Sequence, residues 1–496
     1  MGDTKKEFYE RCLEIHDLQE AQQLLDWDQQ VVMPRKGAEQ RGNQQAALAG
    51  VLHAKIADPA LGELITSLAA KKDLGPDLAA DVREAKRARD RAVKIPAALV
   101  SEKAKACSLA QVAWEEAKGK NDFRSFKPHL VKIIDLTRRT AEAIGTETLY
   151  DALLDEFEPG MTEAALKTVF SDLRDRLVAL FEKIQGGRDK PNQDALKRTY
   201  SAPGQEAFGR RIAADMGYDF DAGRLDRSAH PFTSGTFWDV RITTRYDEHF
   251  LSASLFGVFH ETGHALYEQG LDPKRYRDPA GGSCSLGIHE SQSRFWENLI
   301  GRSRPFWWHY FPHLKQAFPG ILDGIALEDF YRAINVCQPS LIRVEADEVT
   351  YNLHIILRFE LESALISGKL DAGELPGAWN EKMLSFLGIE PPSDQTGVLQ
   401  DIHWSAGLIG YFPTYALGNL YAAQFMQTLR KDVPDLDKRL SEGKLSVVKD
   451  WLNQKIHRHG RLYLPGELCQ TVTGKALAAD ASMTYLTEKF GEVYGF

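Results

Sequence analysis

The segment Phe259-His260-Glu261-Thr262-Gly263-His264-Ala265 sets two histidines four residues apart, with a glutamate directly after the first. On an α-helix, residues four apart lie one turn apart on one face. His260 and His264 can therefore direct ring nitrogens toward a single cation. Glu261 then lies where it can take a proton from a water at an open metal position, the arrangement of a metal-dependent peptide-bond hydrolase. The bland reading is a pair of merely buried histidines; the helical context and the partners below weigh against it.

Such a site needs a third protein ligand. Glu268 follows His264 by four residues but lies about 12 Å along the same helix from His260, too far for contacts near 2 Å to converge. It is expected to be a solvated or supporting carboxylate. Glu290 is the better donor. It follows a connection containing Gly281, Gly282 and Gly287 that lets a second helix fold back on the first, and it shares a helical face with Arg294 and Glu297. His289 is the competing donor, with Glu297 behind it. The extended metzincin pattern is absent, because Tyr267 stands in place of its glycine and Gly270 in place of its third histidine.

The elements that must carry these residues are mostly helical. Apolar spacing predicts helices over 4–30, 41–57, 79–119, 124–149 and 161–185 in the first part of the chain. Asp239 to Arg245 alternates as a short strand would. Asp247 can cap a helix over 248–269, with Gly270 as its stop. Further helices are expected near 287–300, 325–336, 345–367, 404–430 and 445–456. No long polar linker divides the 496 residues. The chain is read as one catalytic domain over 1–496, with a two-lobed organisation left open.

Composition narrows the function classes. The formal net charge is −9 and no long basic run occurs, which disfavours nucleic-acid binding. The five cysteines are scattered with no CxxC pair, as expected of reduced thiols in the cytoplasm. The opening MGDTKKEFYERC lacks the apolar stretch of a secretory signal, and Lys6 stands where a myristoylation signal wants Ser or Thr. Trp404 to Leu429 is uncharged and long enough to span a bilayer, but Pro413, Asn419, Gln424 and Gln427 favour a buried segment instead.

Beyond the metal motif, the chain resembles the thermostable carboxypeptidase 1 family, the Taq-type metallocarboxypeptidases, over nearly its full length. The resemblance rests on His230-Pro231-Phe232, Asp239 to Thr243, His289-Glu290-Ser291-Gln292, Ile342-Arg343-Val344-Glu345-Ala346-Asp347, Gly397 to Trp404 and Gly410 to Tyr415. It extends to Trp27-Asp28-Gln29 and to Tyr150-Asp151-Ala152-Leu153-Leu154. It implies a mainly α, zincin-like metallopeptidase with a central cleft and a small β-sheet. It also implies a homodimer, and release of C-terminal amino acids with zinc or, alternatively, cobalt.

Carried onto these motifs, the resemblance makes Arg343 the leading partner of a substrate's terminal carboxylate. A planar guanidinium suits that bidentate contact, although an ion pair with Glu345, Asp347 or another acid would also occupy it. His403 is the second carboxylate donor, or else a buried histidine paired with Asp401. Tyr411 or Tyr415 is expected to stabilise the oxyanion, unless both are core aromatics. His230 either contacts substrate or is structural. Asp239 and Arg241, like Arg294, are expected to support and position the metal ligands. An oligopeptidase cutting short peptides internally would use the same metal core, and a peptide-binding protein without turnover would not need Glu261.

Overall fold

A computed structural model describes residues 2–496, and two compact units emerge. Among the described residues, one comprises 2–93, 192–334 and 422–475; the other comprises 94–191, 335–421 and 476–496. The architecture is mainly helical with one three-stranded sheet, as the sequence predicts.

In the first unit the sheet is β1 (Gly223–Arg227), β2 (Thr233–Ser234) and β3 (Val240–Thr244), in the order β1-β3-β2. β1 pairs parallel to β3, and β2 lies antiparallel with Thr233 opposite Ile242. β2 is thus an edge, and Thr233 reaches the helix Leu251–Gln269 that carries the histidine motif. That helix buries residues on nearly every side, among them Leu255, Phe259, Glu261, Ala265 and Tyr267. It starts later than expected. Phe250 occupies the N-cap without a side-chain cap, and Asp247 instead accepts from the His249 amide at 2.8 Å. Gly270 does follow its last residue.

The next helix, Leu286–Arg294, is capped by the Ser285 hydroxyl and runs straight into a π-helical turn over Phe295–Ile300. Gly263 determines how closely these two helices approach. A Cβ at that position would lie 2.5 Å from the Gln292 carbonyl oxygen and 2.7 Å from the Ser293 Cα, so only hydrogen fits.

The second unit is built around the helix Thr350–Ser367, buried along most of its length from Thr350 to Ile366. Phe359 packs edge-on to Tyr150 and Phe170, with ring centroids 5.6 and 5.4 Å away. Expected continuity fails at two prolines. The helix foreseen over 79–119 is two, Pro76–Lys94 and Ala97–Lys120, because Pro96 precludes an intervening backbone hydrogen bond. The helix foreseen from 404 begins only at Pro413, where the missing N–H costs nothing. The preceding residues form turns, so Tyr411 and Tyr415 do not share one helix. Among the described residues, no helix is long and apolar enough to cross a membrane.

Candidate active site

The two helices of the first unit bring His260, His264 and Glu290 together, with one potential ligand atom from each lying within 4.8 Å of the others. Glu290 Oε2 stands 3.6 Å from His260 Nε2 and 3.4 Å from His264 Nε2. Its other oxygen is held by Arg294 Nε at 2.7 Å, and Ser293 donates to Oε2 at 3.1 Å. Burial alone would raise the Glu290 carboxyl, but Arg294 and His260 hold it well below the usual range. The anionic form is therefore the resident one.

Both histidines point Nε2 toward Glu290 because their other nitrogens are engaged elsewhere. His260 Nδ1 meets Glu297 Oε2 at 2.8 Å, and Glu297 is also held by Arg294 at 3.2 Å. The π-helical turn Phe295–Ile300 carries Glu297 to this position, a use of π geometry common beside functional residues. His264 Nδ1 meets His289 Nδ1 at 2.5 Å, and His289 Nε2 meets Glu268 Oε1 at 2.8 Å. Both ring nitrogens of His289 are committed, so it is not the third ligand. Glu268 supports the cluster through His289, and Glu297 supports it through His260.

Two imidazoles and one carboxylate converging with supported far edges fit a divalent cation and leave a coordination position open. A cation held there polarises a carbonyl and acidifies a water. Glu261 is 6% exposed, and burial raises its carboxyl above the ordinary glutamate value. Thr233 Oγ1, on the edge strand β2, contacts both Glu261 Oε2 at 2.7 Å and its backbone carbonyl at 3.0 Å. Nothing in the sequence marks Thr233, since a two-residue strand has no readable period. A second group of metal-ligand types, His16, Asp17 and Glu20, is otherwise occupied: Asp17 is paired with Arg277, and Glu20 accepts from Tyr276 at 3.0 Å.

Three further sequence candidates lie in this unit. Asp239 and Arg241 pair with each other at 2.7 and 2.8 Å, and the Arg241 guanidinium lies over the Trp27 ring, 4.3 Å from its centroid. The Arg241 side chain thus ties β3 to the helix Gly2–Val31, which carries Trp27. His230 is exposed in the loop before β2, where its backbone carbonyl accepts from Ser228.

In the second unit Arg343, 6% exposed, donates from Nε and Nη2 to Asp401 Oδ1 at 3.1 and 2.9 Å and from Nη1 to the Tyr351 hydroxyl at 3.0 Å. Arg358 Nε takes Asp401 Oδ2 at 2.7 Å. The acid beside Arg343 is therefore Asp401, neither Glu345 nor Asp347. Gln400 positions the Arg343 backbone by accepting from its amide at 2.9 Å. His403 Nε2 lies 3.2 Å from the Tyr415 hydroxyl and its Nδ1 is 4.0 Å from Asp401. Tyr411 and Tyr415 meet edge to face, centroids 5.4 Å apart. Burial lowers His403 to about 4 and His354 to about 3, so both rings are neutral near pH 7.

A helical chain with a HExxH helix and a glutamate converging from the following helix defines a zincin-like metallopeptidase. The sequence profile of the carboxypeptidase Taq (M32) metallopeptidases matches residues 7–490. Thermostable carboxypeptidase 1 of Thermus thermophilus is 45% identical over 486 residues, 95% of each chain. Carboxypeptidase 1 of Bacillus subtilis is 40% identical over 493 residues, 99% of this chain and 98% of the other. Among solved structures, the M32 carboxypeptidase of Deinococcus radiodurans R1 matches with a TM-score of 0.97 at 40% identity, covering 100% of both chains. The chain belongs to the carboxypeptidase Taq (M32) family. It is a metal-dependent carboxypeptidase that releases amino acids from peptide C-termini.

Proposed function

We propose that the working metal is zinc, replaceable by cobalt, held by His260, His264 and Glu290. Glu261 takes the proton of the attacking water and later delivers it to the leaving amine, with Thr233 holding its carboxylate in place. Arg343 and His403 take the terminal carboxylate of the peptide, and Tyr411 or Tyr415 donates to the developing oxyanion.

The observation that carries the carboxylate assignment is one of charge. Arg343 and Arg358 are buried against a single carboxylate, Asp401. The nearby Glu362 is pushed up to about 7, chiefly by burial, and its hydrogen-bond partners are Trp404, Tyr150 and Gly410. A buried excess of positive charge is costly until an anion joins it. Arg343 has five N–H donors, of which three have protein acceptors, leaving two for a carboxylate.

The test pairs a free-acid peptide with its C-terminal amide, followed by time-resolved mass spectrometry. The acid should yield single residues from its C-terminus. The amide should react roughly ten- to a hundredfold more slowly, corresponding to about 1–3 kcal/mol for an unmade buried hydrogen bond. Arg343→Ala should slow the acid and narrow the gap. Internal fragments as first products, at equal rates for both peptides, would favour an oligopeptidase.

We propose a homodimer in the cytoplasm, an expectation carried by the family resemblance; none of the five cysteines forms a disulfide, which suits a reducing compartment. Light scattering on the purified protein tests the dimer. A concentration-independent monomer mass refutes it.

A further inference from the structure

The two metal histidines are supported differently. His260 rests directly on a carboxylate, Glu297, whereas His264 rests on another histidine that in turn rests on a carboxylate, Glu268. The rings of His264 and His289 have centroids 4.5 Å apart and planes 28° apart. With 2.5 Å between their Nδ1 atoms, they meet nitrogen to nitrogen. Two lone pairs at that distance repel and two N–H groups collide, so one proton lies between them. Glu268 also accepts from Thr236 at 2.8 Å. An ionised carboxylate is an acceptor only, which places a proton on His289 Nε2. A His264 that aims the Nε2 lone pair at a cation carries its proton on Nδ1, so the shared proton belongs to His264 and His289 Nδ1 accepts it.

We propose that Glu268 and His289 form a positioning pair that fixes His264 as its Nδ1–H tautomer, keeping the Nε2 lone pair aimed at the cation and thereby setting metal affinity. Neither residue touches substrate in this role. Thr236 holds the remote end of the chain, at the end of the segment that follows β2, so the pair also couples the metal helix to the sheet edge. The proposal rests on the metal centre described above. It sets a relayed support at His264 beside the direct one at His260, and gives a task to a glutamate whose position on the helix excludes it as a ligand.

The experiment measures zinc affinity by competition with a chromogenic chelator, alongside melting of the zinc-free proteins. His289→Ala removes the acceptor facing His264 and should weaken zinc about ten- to a hundredfold, the usual cost of losing such a partner. His289→Asn offers an amide oxygen near the position of the lost Nδ1 and should recover most of that loss. A purely structural role would lower both melting temperatures and leave the two affinities alike. Glu268→Gln, which retains an acceptor for His289 and removes only the charge, should weaken zinc by several-fold and serves if the alanine variant does not fold. Wild-type affinity in His289→Ala, equal losses in the alanine and asparagine variants, or an unchanged Glu268→Gln protein each overturn the proposal. Failure of the wild-type protein to bind zinc would instead remove the zinc assignment beneath it.

Discussion

Arg343 reaches Asp401 with two of its nitrogens, at 3.1 and 2.9 Å, while Asp401 gives its second oxygen to Arg358. Although burial opposes ionisation, Arg358 and Arg343 hold the Asp401 carboxyl far below its usual range. Asp401 is the shared counter-ion of both guanidiniums. Asp401→Asn strands two buried cations, and breaking a buried pair in this way costs about 3–5 kcal/mol. Arg343→Ala leaves Asp401 paired with Arg358, so its stability loss should be smaller. Denaturant unfolding of the two variants checks the order, and a greater loss for Arg343→Ala would contradict it.

Glu261→Gln keeps the size of the side chain and one acceptor for the Thr233 hydroxyl, and removes the base. Turnover should fall by about two to four orders of magnitude while metal content stays at the wild-type level, because Glu261 is not among the three converging ligands. Parallel metal analysis and peptide assays decide this. Activity near wild type at full occupancy would remove the base assignment.

Gly263 lies between the two histidines and against the helix that carries Glu290. Its substitution by alanine places a methyl group where backbone atoms of Gln292 and Ser293 already stand. Backbone cannot swing aside as a side-chain tip can, so the two ligand helices must separate. Overpacking of this kind costs about 1–3 kcal/mol, and the metal should be bound more weakly because Glu290 moves with its helix. Thermal melting and zinc competition on Gly263→Ala read both effects. A variant matching wild type in both would show that the helices have slack.

The converging His260, His264 and Glu290 are legible in the sequence because their signal is local. His260 and His264 sit one helical turn apart, and Glu290 follows a glycine-rich turn that can bring a second helix back. The supporting partners had no such signal. Asp401 is 58 positions from Arg343, and Thr233 is 28 from Glu261; only tertiary packing joins them. Helix rise separates Glu268 from His260 in the sequence, but its route to His264 runs through His289, on another helix, and has no local signal. The run from Trp404 reads as one helix because no charge interrupts it, whereas Pro413 decides where that helix begins. Apolar spacing did not reveal the helix Arg304–Ala317, whose Pro312 and dense aromatics obscure the pattern.

Glu362 gives a prediction about pH. Its carboxylate is fully buried and accepts from the Trp404 indole at 2.8 Å, the Tyr150 hydroxyl at 2.8 Å and the Gly410 amide at 3.0 Å, with Arg358 nearby. Burial outweighs these charge-favouring contacts and raises the group to about 7, against roughly 4.3 for an unperturbed glutamate. Between those values the folded protein holds a proton that the unfolded chain has released. Stability therefore falls as pH rises across that window. The contribution is present in full below about pH 4 and is lost as pH climbs through about 7, amounting to a change on the order of 3 kcal/mol. Glu362→Gln is neutral throughout and removes this slope, although its amide nitrogen must be accommodated among donors, with the Tyr150 hydroxyl able to turn and accept. Unfolding midpoints at about pH 5 and about pH 8 should therefore differ more in the wild-type protein than in the variant. Parallel pH profiles would show that Glu362 is ionised in the folded protein across the whole range, and that its three donors outweigh burial.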